Sequence, residues 1–341
     1  MIKRFKINQG NLTIVATVAL FMALFALGSV LYPGFFSLQV FLNLLIDNAY
    51  LIIVATGMAF VIISGGIDLS VGALVALVSM VSASLLAAGM NPYLVMCIVL
   101  ILGVVFGFFQ GFLICRFDLH PWIVTLGGMF LARGSSYLIS TESIAIDNPV
   151  YVGISQFRFV LPGGSNISIG VLVALLVVSL AVYVSKYSAF GRNVFAVGGN
   201  EGSAQLMGLP VVRTKIAVYV LSGFCSALGG LVFTFYMLSG YALHLLGMEM
   251  DAIAACVIGG ILLTGGFGYL IGPLFGVLSI GVIQTLIIFQ GTLSSWWTKI
   301  AVGFLLFTFI VLQRAIVTSN KARLPLLGKR RFKHQTASIS D

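Results

Sequence analysis

The stretch Gly65-Gly66-Ile67-Asp68-Leu69-Ser70-Val71-Gly72 places a carboxylate and three glycines between two strongly apolar segments. A second glycine-rich stretch follows 200 residues later, at Gly265-Gly266-Phe267-Gly268-Tyr269-Leu270-Ile271-Gly272. An ionisable side chain at membrane depth costs about 2.5–3.5 kcal/mol on insertion scales, so Asp68 is a functional-site hypothesis by default. The two stretches predict paired breaks in apolar segments.

The composition is that of a membrane protein. Of the 341 residues, 60% are hydrophobic and only 8% are charged, whereas soluble domains average about 25% charged residues. The first apolar run, residues 12–32, is about as long as a membrane-spanning helix requires, and no small-residue cleavage site follows it. We therefore expect an all-α polytopic membrane protein with a retained first span.

Apolar runs predict about ten transmembrane helices, near residues 12–32, 48–64, 70–89, 93–115, 122–140, 168–186, 214–237, 252–267, 270–289 and 297–313. Residues 35–46 are too short to span and predict a re-entrant or interfacial helix. Ten spans put both termini on one side of the membrane. The positive-inside rule places both in the cytoplasm, because that orientation leaves only Arg133, Arg158 and Lys299 of the 18 Lys and Arg residues in or beyond the membrane.

This orientation divides the chain into three parts. Residues 1–11 form a cytoplasmic N-terminus, residues 12–315 the membrane domain, and residues 316–341 a basic cytoplasmic tail near anionic lipid headgroups. Within the membrane domain, residues 140–166 are an outer loop and residues 187–213 a cytoplasmic loop. The net charge of +9 follows from this topology, and we expect membrane lipid, not nucleic acid, as the partner of the basic residues.

The two glycine stretches align at a constant offset of 200, which predicts an internal repeat. Glycines that interrupt apolar spans at matching places in two halves indicate a transport pathway. The span count makes the two copies parallel, whereas an inverted repeat would need one re-entrant element. Gly103, Gly107 and Gly111 recur at four-residue spacing and are typical of a helix-packing seam.

Polar groups within the apolar spans are the candidate pathway or gate residues. Asp68 is interpreted either as a gate or as a helix cap that accepts a hydrogen bond from the backbone N–H of Ser70 or Val71. Arg133 is expected to pair with an acid or to snorkel to an interface. The full set is Gly65, Gly66, Asp68, Ser70, Gly72, Arg133, Glu249, Asp251, Gly265 and Gly266.

The inner loop contains a short helical pattern. Asn200 is a fair N-cap and Gly208 a fair stop for a helix of about two turns. Such a helix at the cytoplasmic surface is a natural docking element for a soluble partner, and the alternative is a mere connecting helix. The candidate residues are Asn200, Glu201, Ser203, Ala204 and Gly208.

Enzymatic motifs are missing from the sequence. It has no G-x-x-x-x-G-K-[ST] phosphate loop, no H-E-x-x-H and no G-x-S-x-G. The four cysteines show no C-x-x-C spacing. We therefore expect no catalytic, cofactor-binding or metal-ligating residues in this chain.

Two strings carry a family resemblance. Gly-Gly-Ile-Asp-Leu-Ser-Val-Gly at 65–72 and Gly-Asn-Glu-x-Ser-Ala-x-x-x-Gly at 199–208 resemble the permease subunits of bacterial ABC importers for monosaccharides, the ribose-type branch. The second string resembles the loop that touches the ATPase, although the family normally has Ala at the position of Gly202. Within this branch, the strings at 133–138, 142–144, 249–254 and 291–300 are most similar to a permease of the galactofuranose importer.

The resemblance implies a permease subunit of the bacterial inner membrane that forms half of a sugar translocation pore. Its partners would be a second permease, ATP-binding subunits that hold ATP and Mg²⁺, and a periplasmic sugar-binding protein. Hydrolysis would belong to the ATP-binding subunits, so this chain would not itself be an enzyme. The rival hypothesis is a stand-alone, ion-coupled secondary transporter in which Asp68, Glu249 or Asp251 is the coupling carboxylate.

Overall fold

A computed structural model of the chain describes residues 9–292, 294 and 296–323, and side chains only between residues 13 and 311. The predictions for most of the N-terminus and the basic tail fall on residues 1–8 and 324–341, outside the described residues. The described helices are α1 (Gln9–Leu31), α2 (Leu38–Ile63), α3 (Val71–Ala87), α4 (Pro92–Phe117), α5 (Pro121–Ile139), α6 (Pro149–Gln156), α7 (Ile169–Tyr187), α8 (Ala189–Gly199), α9 (Glu201–Leu206), α10 (Val211–Met237), α11 (Met248–Ile258), α12 (Gly272–Gln290) and α13 (Trp296–Arg323). We call the end of the bundle with residues 187–213 the inner end and the end with residues 140–166 the outer end.

The long apolar helices confirm a helical, polytopic membrane protein. By length and composition, six described helices are able to cross a membrane: α1, α2, α4, α7, α10 and α12. Helix α3 and the part of α13 from Trp296 to Val311 are also apolar but shorter than the six. The exact number of spans and the cytoplasmic location of the termini remain predictions.

Two predicted segments need correction. The predicted span at 252–267 is wrong as one helix, because α11 has 11 residues and ends at Ile258. At 1.5 Å per residue it covers roughly half of a hydrocarbon core of about 30 Å. The separate re-entrant or interfacial helix predicted at 35–46 is also wrong, because α2 starts at Leu38 and continues to Ile63. The Ser37 side chain caps its start by accepting a hydrogen bond from the backbone N–H of Val40.

The outer end contains short strands that the all-α prediction missed. Strand β1 (Ile144–Ala145) pairs antiparallel with β4 (Ser239–Gly240), and β2 (Arg158–Val160) pairs antiparallel with β3 (Asn166–Ser168). The second pair is tied to the start of α2, because the backbone N–H of Asn166 donates to Oε1 of Gln39 at 2.9 Å. The predicted outer loop is therefore partly ordered by pairing.

Helix α10 is the central element of the bundle and packs against α2, α3 and α4. Its contact with α4 depends on glycine. A Cβ atom at Gly103 would clash with the backbone of Gly223, and one at Gly107 would clash with the backbone of Tyr219. A Cβ atom at Gly223 would in turn clash with the backbone of Gly103. The predicted packing seam is confirmed, because these glycines let the two helix backbones approach closely.

Gly107→Ala is expected to destabilise the bundle, because the added methyl group must push α4 away from α10. Overpacking of this kind typically costs about 1–3 kcal/mol. The matched control is Gly303→Ala in α13, where a Cβ atom meets nothing within 4 Å. Thermal unfolding of the detergent-solubilised protein should show a lower midpoint for Gly107→Ala only. Equal midpoints for the two variants would contradict this account of the seam.

Candidate functional site

Three pairs of adjacent glycines meet in the bundle and form what we call the glycine junction: Gly65-Gly66, Gly198-Gly199 and Gly265-Gly266. The first pair follows α2, the second ends α8, and the third lies between α11 and α12. The backbone N–H of Gly266 donates to the carbonyl oxygen of Ile63 at 2.8 Å. The two glycine stretches, 200 residues apart in sequence, are therefore in direct backbone contact.

The contacts at the junction exclude side chains. A Cβ atom at Gly198 would clash with the carbonyl oxygen of Ile63, and one at Gly265 would lie 2.9 Å from the Cα atom of Gly65. The φ angles of Gly65, Gly265 and Gly266 are +86°, +79° and +72°, in the left-handed region that strains other residues. Glycine is thus required both for backbone conformation and for close approach.

Asp68 is a buried hydrogen-bond acceptor at the start of α3, with 2% of its surface exposed. Its Oδ1 accepts from the backbone N–H of Ser70 at 3.0 Å and from the Ser70 hydroxyl at 2.6 Å. Its Oδ2 accepts from the Ser222 hydroxyl on α10 at 2.7 Å. The predicted cap is confirmed for Ser70, and the carboxylate also ties the break to the central helix.

Three neighbours of Asp68 were not predicted from the sequence: Gln110, Tyr219 and Ser222. The Tyr219 hydroxyl donates to the carbonyl oxygen of Ile67 at 3.4 Å, and Oε1 of Gln110 lies 3.4 Å from the Ser70 hydroxyl. A glutamine in the middle of the apolar α4 was the one available signal. The polar groups around the first break thus come from α4 and α10 as well as from the break itself.

The inner loop folds into two short helices that sit beside the junction. Asn200 caps α9, since its side chain accepts from the backbone N–H of Ser203 at 2.7 Å, and Gly208 follows the helix with a φ of +76°. Both predictions for this helix are confirmed. Glu201 forms an ion pair with Lys215 of α10 at 2.5 Å. Ala204 is buried, so α9 is anchored to the bundle on one side.

Two exposed apolar side chains lie at the C-terminal end of α9. Leu206 is 91% exposed and Met207 is 67% exposed. Leu206 ends α9 and Met207 follows it, and we call these two residues the apolar tip of the inner loop. Exposed apolar side chains on a loop are candidates for a surface that a partner covers.

The remaining candidate residues form a second cluster around the start of α11. Arg133 of α5 donates to the carbonyl oxygens of Ala242 at 2.5 Å and His244 at 2.8 Å. Among the described residues no acid lies within ion-pair distance of Arg133, so the pairing alternative is not observed there. Lys299 of α13 forms that pair instead, with Asp251 at 2.6 Å. The segment before α11 is not helical, so its backbone carbonyls are free to accept hydrogen bonds from Arg133.

Glu249 and Asp251 lie in the first turn of α11. The helix dipole stabilises acidic side chains at this position. The glutamate packs against Gly72, because a Cβ atom at Gly72 would lie 2.6 Å from Oε2 of Glu249. That oxygen is buried without a hydrogen-bond partner among the described residues. The structure therefore joins Gly72 to the second cluster and leaves Gly65 and Gly66 in the junction.

Comparison with known proteins assigns the chain to a family. The family model described as the permease component of branched-chain amino acid transport systems matches residues 40–310. The chain belongs to this family. No solved structure matches it.

Three relatives cover most of the chain. The inner membrane ABC transporter permease protein YjfF of Escherichia coli (strain K12) is 47% identical over 93% of the chain and 94% of its own length. The fructose import permease protein FruG of Bifidobacterium longum is 37% identical over 92% of the chain and 94% of its own length. The ribose import permease protein RbsC of Haemophilus influenzae is 36% identical over 76% of the chain and 81% of its own length. The resemblance to ribose-type permeases is confirmed, and with it a multi-pass location in the inner membrane.

Asp68→Ala is expected to destabilise the protein far more than Asp68→Asn does. Alanine leaves the donors of Ser70 and Ser222 buried without an acceptor, at a cost of about 1–3 kcal/mol. Asparagine keeps a carbonyl oxygen for the Ser70 N–H, so it preserves the cap while removing the charge. Thermal unfolding in detergent measures both variants. Equal losses would show that the negative charge, and not the cap, is what the fold needs.

Proposed function

We propose that this chain is a permease subunit of an ATP-driven ABC importer for a monosaccharide, galactofuranose or a related sugar. The observation that carries the proposal is the contact between the inner loop and the glycine junction. Helix α8 contacts the junction through Gly198 and ends at Gly199, and α9 follows after Asn200 with its exposed apolar tip. A soluble ATP-binding subunit that docks on α9 would thus act directly on both breaks in the membrane domain.

The sugar assignment rests on the relatives. Curated relatives are named import permeases for fructose and for ribose. The description of the family model instead refers to the transport of branched-chain amino acids. The sequence strings shared with a galactofuranose permease favour a sugar of that type. Substrate would be delivered by a periplasmic sugar-binding protein at the outer end.

A second permease subunit would complete the pore along α5. Gly127 and Gly134 lie seven residues apart on this helix, and a Cβ atom at either would meet nothing within 4 Å. Phe130 and Leu138 lie near them and are 65% and 90% exposed. Glycines allow close helix approach in a membrane, so this uncovered face suits a second, similar chain, with the sugar passing between them.

Reconstitution tests the proposal against the rival secondary transporter. Proteoliposomes are prepared with the permease alone and with its neighbouring ATP-binding subunit, second permease and sugar-binding protein. Uptake of radiolabelled monosaccharide should require the complete assembly and internal ATP with Mg²⁺. Uptake by this chain alone, driven by an ion gradient and abolished by Asp68→Asn, would overturn the proposal in favour of the rival.

Leu206→Asp is expected to prevent association with the ATP-binding subunit, because it places a charge in the apolar tip that the partner would cover. The matched control is Leu206→Met, which keeps an apolar side chain of similar volume. Co-purification of the ATP-binding subunit from membranes measures association. Retained co-purification of Leu206→Asp would contradict docking at α9, provided that the variant is inserted at the wild-type level.

Gly198→Ala is expected to uncouple ATP hydrolysis from uptake, because its methyl group would collide with Ile63 and displace α8 from the junction. The neighbouring Gly199→Ala is the control, since a Cβ atom there meets nothing within 4 Å. Hydrolysis and uptake are measured together in proteoliposomes. Gly198→Ala should retain ATP hydrolysis and lose most sugar uptake. If this variant takes up sugar at the wild-type rate, the junction does not couple hydrolysis to transport.

A further inference from the structure

A polar cavity of about 640 Å³ opens at the outer end, far from the glycine junction along α2. Its lining residues come from three elements: the first turns of α2, the β2–β3 hairpin and the end of α10. They are Gln39, Asn43, Ile46, Asp47, Arg158, Gly163, Gly164, Ser165, Asn166 and Tyr236. Cavities of roughly 300–1,000 Å³ with convergent polar groups are typical small-molecule sites.

Helix α2 contributes a polar ladder to this cavity. Gln39, Asn43 and Asp47 recur at four-residue spacing, so they lie on one face of the helix. The intervening residues Leu42, Leu44 and Leu45 are buried. Polar and ionisable groups along one face of a membrane-spanning helix are candidates for a substrate pathway.

Asp47 and Arg158 carry opposite charges and line the same cavity without forming an ion pair. The ion pairs among the described residues join Lys215 to Glu201 and Lys299 to Asp251. Asp47 accepts a hydrogen bond from the Tyr236 hydroxyl at 3.2 Å, and Arg158 donates to the carbonyl oxygens of Ser155 and Phe157. The carboxylate therefore has spare acceptor capacity and the guanidinium has spare donors.

The cavity thus offers both acceptors and donors, and the opposite charges of Asp47 and Arg158 cancel. A hydroxyl group donates to one and accepts from the other, so a neutral molecule with several hydroxyl groups satisfies both. A zwitterionic branched-chain amino acid would also match the two charges. It would however need an apolar wall for its side chain, and Ile46 is the one aliphatic residue in the lining.

We propose that this cavity is a transient binding subsite for a neutral monosaccharide, in which Asp47, Asn43 and Arg158 hydrogen-bond the sugar hydroxyls on entry. The subsite deepens the proposed function and rests on it for the identity of the ligand. The half-exposed ring of Tyr236 would form one wall. Weak binding is expected, because the sugar must leave the subsite for the pathway.

Saturation-transfer NMR tests the subsite directly on the purified permease assembly without the sugar-binding protein. The probes are D-galactose, D-ribose and D-fructose, each measured separately, with L-leucine as the zwitterionic alternative. At least one sugar should bind wild type, and Asp47→Asn should weaken that binding about tenfold, the loss expected for one hydrogen bond to a charged group. Asn43→Ala is a second variant that leaves the charges in place and should weaken it as well.

Asp147→Asn is the matched control, because Asp147 is an exposed aspartate of the outer end that does not line the cavity. It should bind sugar as wild type does. Equal binding by Asp47→Asn and Asp147→Asn would overturn the subsite, and so would binding of leucine in place of sugars. Loss of affinity for the sugar-binding protein with unchanged NMR signals would also overturn it and identify a protein-docking surface.

Uptake measurements separate this inference from the proposed function. If no monosaccharide is taken up by the complete wild-type assembly, the proposed function fails, and the NMR result still decides whether the cavity binds sugars. If uptake occurs and Asp47→Asn matches wild type in both uptake and NMR binding, the proposed function stands and the subsite is wrong. A fall in uptake together with lost NMR binding supports both.

Discussion

The structure depends on one constraint: where the backbone leaves a helix in the interior of the bundle, its polar groups must find partners within the protein. Among the described residues this happens between α2 and α3 and between α11 and α12. Each break supplies partners for the other, since the N–H of Gly266 bonds to the carbonyl of Ile63. Asp68 satisfies the N–H at the start of α3. The breaks are therefore stable as a pair rather than as separate defects.

This pairing explains why glycines cluster where they do. Backbone can reach backbone only where no side chain intervenes, and at Gly198 the third chain segment enters the same contact. The result is an interface without interlocked side chains. Such an interface opposes sliding less than an interdigitated core does, because close-packed side chains transmit strain and resist small shifts. On the proposed function, in which this contact shifts during each transport cycle, an interface of glycines would ease the shift.

The sequence predicts the local features of this arrangement and misses the distant ones. The breaks, the Asp68 cap and the Asn200 cap follow from short-range chemistry that is visible in a few residues. The meeting of Gly65 with Gly265, the pairing of Lys299 with Asp251 and the shortness of α11 depend on tertiary packing. Hydropathy predicted a full span at 252–267 because a buried irregular segment is as apolar as a helix. Neither alternative for Arg133, an acid or an interface, included the backbone carbonyls that it binds, because free carbonyls cannot be read from a sequence.

Helices α2 and α10 connect the two ends of the molecule. At the inner end, α2 finishes at Ile63 in the junction, and α10 holds Glu201 through Lys215 and Asp68 through Ser222. At the outer end, the same two helices meet where Tyr236 donates to Asp47 in the polar cavity. A tilt of α10 relative to α2 must therefore alter both sites together. On the proposed function and subsite, ATP-binding subunits that favour one arrangement of these helices would change the affinity of the outer cavity, and by linkage a bound sugar would bias the junction by the same free energy.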